Sequence, residues 1–356
     1  MSAAENKKVT LILPIRDEGP TIRAALDAVL AQSYPTDQME ILIADGMSTD
    51  GTREIVREYQ RKHANIKLLD NPGRIVPTGM NTALRQAAGD IIIRVDGHCV
   101  IAPDYVENCL KHLANDAVDG VGGPMKTIGL TPLAETIALA MSAPFGVGNS
   151  AFRTTQGQTK YVDTIPFPAY KREVIQKAGL YDEELVRNQD DEYNYRIREL
   201  GGKLLLADDV RSVYYSRGSM RGLWKQYYQY GFYKVRVLQK HPQQMSARQF
   251  IPLIFILSIF GSLALALFRN EGWVLLASIL GAYLFAAILA SFRISIKKGW
   301  KNFFLLPIAF ITMHFSYGLG FAVGLIAFWK RWGISTERCL LLQLSKRAAK
   351  KPIVLG

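Results

Sequence analysis

The chain has 356 residues, with 43 Lys and Arg against 31 Asp and Glu and a formal net charge of +12. This excess predicts an anionic partner, such as a phosphorylated ligand, nucleic acid or an acidic membrane face. Three cysteines without a CxxC pattern argue against a disulfide framework and favour a reducing compartment, and the opening MSAAENKKVT lacks the apolar core of a signal peptide.

Strands and helices alternate through the first hundred residues. Apolar, β-branched runs predict four strands, at residues 8–15, 39–46, 65–71 and 90–97. Between them, apolar residues at helical spacing predict three helices, at residues 20–34, 48–63 and 77–89. Short connections between these elements predict an α/β fold, with a mostly parallel sheet and helices on both faces.

Polar side chains follow the ends of these strands. They are Arg16, Asp17 and Glu18 after the first strand, Asp45 at the end of the second, and Asp96 with His98 after the fourth. In open α/β sheets ligands bind beyond the carboxyl ends of the strands, so we expect these side chains to converge. No GxGxxG follows the first strand, which argues against a dinucleotide site.

Three long apolar runs follow residue 249, at 250–268, 272–292 and 303–329. The first two are long enough to span a membrane, because a spanning helix needs about 20 apolar residues. The third is interrupted by Pro307, His314 and several glycines, and reads as either a tilted span or a re-entrant hairpin. The segment 293–302 and the tail 330–356 are basic, and positive segments stay on the cytoplasmic side. Two crossings return the chain to the side of the N-terminal half, which this rule then places in the cytoplasm. A third full crossing would export the basic tail, so the rule disfavours it.

Four ordered motifs resemble one enzyme family. LILPIRDEGPTI, ILIADGMSTDGTREIV, NPGRIVPTGMNTALRQAAGDIIIRVDGH and NQDDEYNYRIRELGG are similar to the inverting glycosyltransferases of family 2, which have the GT-A nucleotide-sugar fold. The resemblance covers roughly residues 9 to 215. It extends to membrane-attached exopolysaccharide transferases of the succinoglycan type, in which the DGH form of the metal motif also occurs.

The sequence predicts four parts of the chain. The resemblance implies a GT-A domain at residues 1–215. Composition predicts an amphipathic interfacial segment at 216–249, a transmembrane region at 250–329 and a basic tail at 330–356.

The donor site is the first part of the catalytic centre that the resemblance implies. Residues implied to bind the nucleotide sugar are Pro14, Arg16, Glu18, Asp45, Gly73, Arg74 and Asp96. Asp45 would accept the uracil imide N–H, and the Arg74 fork suits phosphate oxygens. The residues alone also allow a solvated turn after the first strand, a surface arginine at 74, and an Asp50 that starts a helix.

A divalent cation, Mn²⁺ or Mg²⁺, is implied as cofactor, because it would neutralise the diphosphate. The family motif is D-x-D, and here Asp96 and His98 occupy its two acidic positions. Imidazole suits softer metals than carboxylate does, so the metal's identity stays open. His98 could instead be hydrogen-bonded within the loop.

The motif NQDDEYNYR is implied to supply the chemistry. Asp190 matches the family's catalytic base, Asp191 is the substitute candidate, and Glu192 matches the second acid, whereas Gln189 stands where the family has Glu. Consecutive acids repel one another, which can raise one pKa. An acidic helix start is the structural alternative, and it is compatible with catalysis.

The segment before the first apolar run mixes aromatic and basic residues, which favours the headgroup layer of a membrane over RNA. Arg217, Arg221 and Trp224 are candidates for contact with the acceptor or a lipid diphosphate. Processive family members carry Q-x-x-R-W here, and this chain reads R-G-L-W, which favours transfer of a single sugar.

We therefore expect a membrane-anchored inverting glycosyltransferase. It would move one sugar from a donor that we expect to be a UDP-hexose to a lipid-linked acceptor, in exopolysaccharide or surface glycan assembly. The expected location is the bacterial cytoplasmic membrane, which the chain would cross more than once, with the catalytic domain in the cytoplasm. We expect no nucleic-acid partner. One alternative is a polyprenyl-phosphate hexose synthase, and a second is an inactive membrane scaffold.

Overall fold

A computed structural model describes residues 7–148, 150–155 and 157–332. This part of the chain forms two compact units, residues 7–126 with 155–214 and residues 127–154 with 215–332. Most of the predicted basic tail, from residue 333, lies outside the described residues, as does Cys339.

Eleven strands and thirteen helices lie in the described residues. The strands are β1 (Val9–Ile15), β2 (Met39–Asp45), β3 (Ile66–Asp70), β4 (Ile91–Arg94), β5 (Cys99–Ile101), β6 (Gly120–Gly122), β7 (Met125–Ile128), β8 (Lys160–Tyr161), β9 (Ala169–Lys171), β10 (Leu204–Leu206) and β11 (Ser212–Tyr215). The helices are α1 (Ile22–Leu30), α2 (Thr52–Lys62), α3 (Val76–Leu84), α4 (Tyr105–Leu113), α5 (Pro132–Met141), α6 (Pro144–Val147), α7 (Ala151–Thr154), α8 (Arg172–Ala178), α9 (Gln189–Glu199), α10 (Met220–Lys240), α11 (Ile251–Ala266), α12 (Glu271–Lys298) and α13 (Leu305–Ala327).

The first unit contains an eight-stranded sheet in the order β3-β2-β1-β4-β9-β6-β10-β8. The four predicted strands and three predicted helices are confirmed, and β1 to β4 pair in parallel. All seven residues of β1 are buried, as expected of a central parallel strand covered on both faces. The antiparallel strand β9, which joins β4 to β6, was not predicted from the sequence.

The register of the parallel strands aligns their ends. Ile15 is opposite Asp45, and Asp45 is opposite Asp70. The polar residues that follow β1, β2 and β3 therefore begin at the same edge of the sheet, which is where the sequence predicted a ligand site.

In the second unit, α10 packs along α13 through glycines. Side chains four residues apart are buried on α10, from Leu223 through Tyr227 to Val235. A Cβ added at Gly320 of α13 would lie 2.1 Å from the backbone oxygen of Tyr228. The segment predicted to be amphipathic thus uses its apolar face against another helix, and only glycine permits the close approach.

The apolar runs differ in length once folded. Two helices are long and apolar enough to cross a membrane, Glu271–Lys298 with 28 residues and Leu305–Ala327 with 23. The first run forms a helix of only 16 residues, Ile251–Ala266, and its length of about 24 Å falls short of a hydrocarbon core of about 30 Å. The hairpin interpretation of the third run is wrong, because α13 is one continuous helix, with Pro307 in its first turn.

Residues 127–154 belong to the second unit, although the sequence analysis included them in the N-terminal domain. The hydroxyl of Thr136 on α5 donates to Asn302 Oδ1 at 2.9 Å, and Lys301 pairs with Glu135 at 2.7 Å. The Phe145 ring meets Phe310 edge to face, with centroids 5.0 Å apart. The apolar side of α5 is therefore buried by side chains that come from much later in the chain.

Candidate active site

Glu18 and His98 meet at the edge of the sheet. His98 Nδ1 lies 2.8 Å from Glu18 Oε1, although the two residues are 80 positions apart. Gly97 allows this approach, since a Cβ there would lie 2.9 Å from Ile15 Cγ2 and 3.0 Å from Glu18 Cγ. The predicted convergence of the polar residues after β1 and β4 is confirmed.

Asp45 is fully buried at the end of β2. Its carboxylate accepts hydrogen bonds from the Ser48 backbone N–H and hydroxyl, and Arg53 Nη1 lies 2.7 Å away. Arg53 also reaches Asp70 at 2.6 Å, so it joins the ends of β2 and β3. The sequence analysis did not find Arg53, although it is the second residue of α2 and so lies close to the strand ends.

The residues predicted to hold the diphosphate lie in the loops after β1 and β3. Arg16 Nη1 is 3.4 Å from the Arg74 backbone oxygen, and both arginine side chains are exposed. Gly73 packs against Thr78, where a Cβ would come within 2.5 Å of the hydroxyl. Pro14 is buried within β1, so its contribution is to the wall of the site.

Ser48 and Asp50 lie in the loop between β2 and α2. Neither occupies the position directly before α2, which is Gly51 with φ of 88°. Asp50 accepts from the Thr52 backbone N–H at 3.1 Å and from the Gly19 N–H at 2.8 Å. It therefore stabilises the start of α2 and also fixes the loop after β1.

Backbone strain is concentrated in the loops that carry these residues. The non-glycine residues with positive φ in the described part of the chain are Asp17, Met47, Arg74, Phe167 and Asn188. The first three follow β1, β2 and β3, and Asn188 directly precedes α9. Such conformations cost about 1–3 kcal/mol each and occur preferentially at functional sites.

Asp96 forms a bidentate ion pair with Arg94. Arg94 Nε and Nη2 lie 2.8 and 3.2 Å from the two carboxylate oxygens, and the two side chains are 7% and 17% exposed. Burial alone would raise the pKa of Asp96, but Arg94, His98 and Arg187 bring it below its ordinary value. Asp96 is therefore ionised at neutral pH.

The side chains of this site can supply part of the ligand set of a divalent cation. The described residues contain no group of three or more His, Cys, Asp or Glu side chains suited to a metal ion. Mg²⁺ at nucleotide sites takes one or two carboxylates and fills its shell with phosphate oxygens and water. Asp96 supplies one such carboxylate, and because Glu18 faces His98 Nδ1, the His98 atom that would meet a metal is Nε2.

The three predicted acids begin α9, with different partners. Burial and the neighbouring Asp191 raise the pKa of Asp190, whereas Arg94 opposes that rise. Asp191 Oδ1 accepts from the Thr164 hydroxyl at 3.1 Å. Glu192 is buried and paired with Arg196, which also donates to the backbone oxygens of Ala178 and Leu180. Asp190 is thus the acid of this motif with a raised pKa, whereas Glu192 is held in an ion pair with Arg196.

Gln189 occupies the first position of α9 and is 5% exposed. Its side-chain oxygen has no hydrogen-bond partner among the described residues. A buried acceptor beside Asp190 is therefore open to a donor from a bound ligand.

Arg217, Arg221 and Trp224 belong to the second unit, in the first turns of α10 and just before it. Ser219 caps this helix by accepting from the Gly222 N–H at 3.1 Å. Trp224 is 41% exposed. Their role toward an acceptor stays a prediction.

This sheet, with ionised acids at the strand ends and an acidic helix start beside them, defines the class of GT-A glycosyltransferases. Residues 10–179 match the profile of Glycosyl transferase family 2, so this part of the chain is a domain of that family. It is 29% identical to the succinoglycan biosynthesis protein ExoA of Rhizobium meliloti (strain 1021), over 90% of this chain and 96% of that protein.

A second relative is the dolichyl N-acetyl-α-D-glucosaminyl phosphate 3-β-D-2,3-diacetamido-2,3-dideoxy-β-D-glucuronosyltransferase of Methanococcus voltae, 27% identical over 89% of this chain and 97% of that protein. The mannosyltransferase PcManGT of Pyrobaculum calidifontis, solved with GDP-Man and Mn²⁺, shares the fold with a TM-score of 0.56, at 22% identity and 87% coverage of each chain. By its matched domain, the protein is thus a glycosyltransferase.

Proposed function

We propose that this protein is a membrane-anchored inverting glycosyltransferase, which moves one hexose from a UDP-sugar to a lipid-linked acceptor in exopolysaccharide or surface glycan assembly. The observation that carries the proposal is Asp190, a carboxylate of raised pKa at the start of α9, in the unit that also holds the Arg94–Asp96 ion pair at the end of β4. The succinoglycan protein and the dolichyl-linked transferase among its relatives support a glycan acceptor carried by a lipid.

On the donor side, the strand-end loops would hold the nucleotide. Asp45 would face the uracil imide, which requires part of its present bonding to Ser48 and Arg53 to be exchanged for the base. Arg16 and Arg74 are exposed cations that suit the diphosphate. A divalent cation held by Asp96 and His98 would neutralise the diphosphate and stabilise it as a leaving group.

On the acceptor side, Asp190 would act as the general base. It takes the proton of the acceptor hydroxyl while that oxygen attacks the anomeric carbon, and the bond from this carbon to the diphosphate oxygen breaks. Attack from the face opposite the leaving group inverts the anomeric configuration. The proton remains on Asp190 until the product leaves.

The test is sugar transfer from radiolabelled nucleotide sugars in detergent or vesicles, by the wild type, Asp190→Asn and Asp191→Asn. We expect Asp190→Asn to lose transfer by at least about 100-fold while it still binds UDP, because general-base catalysis contributes 10²–10⁴-fold. Asp116→Asn, at a fully exposed position, is the matched control. Equal turnover by the wild type and Asp190→Asn would remove the base assignment.

As the pH is lowered, the wild-type enzyme should lose activity at a pH above the ordinary pKa of an aspartate. The pKa of Asp190 is raised, and the base works only when ionised, so activity rises as the pH passes that pKa. A pH profile of kcat measures this limb.

The acceptor is tested by supplying bare polyprenyl phosphate against a polyprenyl-diphosphate glycan. Transfer to the glycan alone supports the proposal, and transfer to bare polyprenyl phosphate would make the protein a polyprenyl-phosphate hexose synthase. If no nucleotide sugar supports transfer, the inactive scaffold is the better account.

Membrane anchorage rests on α12 and α13, which are long and apolar enough to cross. Lys297 and Lys298 end α12 and Lys301 follows it, and positive residues between spans face the cytoplasm. A crossing by α12 alone would put the catalytic domain on the opposite face, so the proposed cytoplasmic domain requires the short helix α11 to cross as well. The proposed location is the bacterial cytoplasmic membrane. Protease protection in sealed vesicles tests this orientation.

A further inference from the structure

The loop between β8 and β9 holds an aromatic residue in a strained backbone conformation. Phe167 has a φ of 43°, a region that bulky residues rarely adopt. It is 6% exposed, and its backbone oxygen accepts from the Tyr105 hydroxyl of α4 at 2.6 Å. Gly122 lets the loop come close, since a Cβ there would lie 2.6 Å from the Pro166 oxygen. Such strain persists only where the surrounding contacts fix the backbone, and it is concentrated at functional sites.

A chain of buried hydrogen bonds runs from β9 through α9 to the start of this loop. The Tyr170 hydroxyl donates to Asn194 Oδ1 at 2.6 Å, and Asn194 Nδ2 donates to Thr164 Oγ1 at 3.0 Å. The Thr164 hydroxyl donates to Asp191 Oδ1 at 3.1 Å. The three side chains that lead to Asp191 are each at most 7% exposed. The chain of hydrogen bonds therefore ends on a carboxylate of the acidic motif.

One backbone carbonyl fixes the direction of these hydrogen bonds. Asn194 Nδ2 also lies 3.3 Å from the Ile165 oxygen, and a carbonyl oxygen can only accept, so the nitrogen end of the amide faces Ile165 and Thr164. The Thr164 oxygen thus receives a hydrogen bond from Asn194, and its own proton is directed to the Asp191 carboxylate. The opposite end of the amide faces Tyr170, whose hydroxyl then has to donate.

Asp191 is joined directly to the proposed base. Its backbone N–H donates to Asp190 Oδ1 at 3.0 Å. Thr164 therefore holds the side chain of Asp191, while the backbone of the same residue holds the carboxylate of Asp190. A loop that relaxed at Thr164 would release the first of these contacts and disturb the second.

We propose that Thr164 is a positioning residue on the acceptor side of the reaction: its hydroxyl holds the Asp191 carboxylate in one orientation beside Asp190, and the strained loop around Phe167 fixes the place of that hydroxyl. The catalytic part of this inference rests on the proposed function. In consequence, the acids at the start of α9 keep one arrangement while the acceptor hydroxyl approaches.

The test compares Thr164→Val, Thr164→Ser and Thr10→Val. Valine removes the hydroxyl at nearly constant volume, and serine keeps it. Thr10 is the matched control near the start of β1, because its hydroxyl also donates to a carboxylate, Glu40 at 2.9 Å, and accepts from a backbone N–H, that of Gly89 at 2.9 Å. The measurements are kcat, KM for the nucleotide sugar, and thermal unfolding.

Because a misplacement of about 1 Å can cost about 100-fold in rate, we expect Thr164→Val to lower kcat by about 10-fold or more. KM for the nucleotide sugar should stay unchanged, since the loops after β1, β2 and β3 remain intact. Thr164→Ser should keep most of kcat, and Thr10→Val should lower thermal stability without changing kcat. Wild-type kcat in Thr164→Val, or an equal loss in Thr164→Val and Thr164→Ser, would overturn the proposal.

Tyr170→Phe keeps the proposal testable if Thr164→Val does not fold. This change removes the hydroxyl at the far end of the chain and leaves Asn194 held by the Ile165 oxygen. We expect kcat to fall in the same direction, but by less than in Thr164→Val. A Tyr170→Phe enzyme with the kcat of the wild type would contradict the proposal.

A structure of the Thr164→Val variant provides a readout that does not need transfer activity. We expect the Asp191 carboxylate to leave its present position. If it stays in place, Thr164 does not position it, whether or not the enzyme transfers a sugar. If it moves but the wild type transfers nothing, the positioning role stands and the proposed function fails.

Discussion

At the level of single residues, neighbouring acids of one motif have different tasks. Glu192 is 4% exposed and pairs with Arg196 at 2.5 Å, and Arg196 also lies over the Tyr193 ring. Asp190, two positions earlier, lies outside that ion pair, and burial and the neighbouring Asp191 raise its pKa. The helix period separates them, because residues two apart on α9 point to different sides.

Replacing Glu192 with Gln should therefore destabilise the protein. The change leaves Arg196 without its buried counter-charge, and breaking such a pair costs about 3–5 kcal/mol of unfolding free energy. Thermal unfolding in detergent measures this cost. A variant of unchanged stability that had lost transfer would show instead that Glu192 is catalytic.

Gln189→Met should have the opposite pattern. The buried amide oxygen has no partner among the described residues, so the loss of that oxygen breaks no internal hydrogen bond, and Met has a similar volume. We expect thermal stability to be unchanged or higher, and transfer to fall because a ligand donor loses its acceptor. Lower stability with normal transfer would show that Gln189 serves the fold alone.

The sequence predicted the acids of the site more readily than the cations that organise them. Asp45, Asp96 and Asp190 stand out because acids at strand ends and helix starts require a chemical reason. Arg53 and Arg94 were missed, since a single arginine beside an apolar run has the same appearance as a surface residue. For Arg94 a signal existed, because strand alternation places it on the same side as Asp96.

At the level of secondary structure elements, close packing between α10 and α13 depends on glycine. Gly320→Leu should destabilise the second unit by about 3 kcal/mol or more, since its first side-chain carbon would meet backbone that cannot move aside. Gly281→Leu in α12 is the matched control, because no atom lies within 4 Å of an added Cβ. Thermal unfolding in detergent compares the two, and equal losses would contradict this packing argument.

Elements defined by a local pattern were predictable, and elements completed by distant partners were not. The strands β1 to β4 are contiguous apolar runs, and the helices between them have one apolar face. The short helix α5 has an apolar pattern too, but its partners Lys301 and Asn302 lie more than 160 residues later. The length of α11 was overestimated because hydropathy does not mark where a helix ends.

At the level of the whole molecule, the excess of positive over negative charge among the described residues lies in one unit. Residues 127–154 and 215–332 contain 15 Lys and Arg against two acids, whereas residues 7–126 and 155–214 contain 23 against 27. The anionic partner that the net charge predicts therefore concerns the unit that holds the apolar helices. The nucleotide site depends on a few local cations, which total composition does not reveal.

The packing of α5 is completed by residues 301 to 310, which lie just before α13 and in its first turns. Production of the first unit in soluble form therefore needs two cuts in the chain. A chain stopped at Tyr215 would expose Ile137, Ala138 and Met141 to water, and we expect it to aggregate on size-exclusion chromatography. Removing residues 127–154 as well, with a flexible linker in their place, should give a monodisperse sample. Expression trials that follow the linear order of the chain will select the wrong boundary.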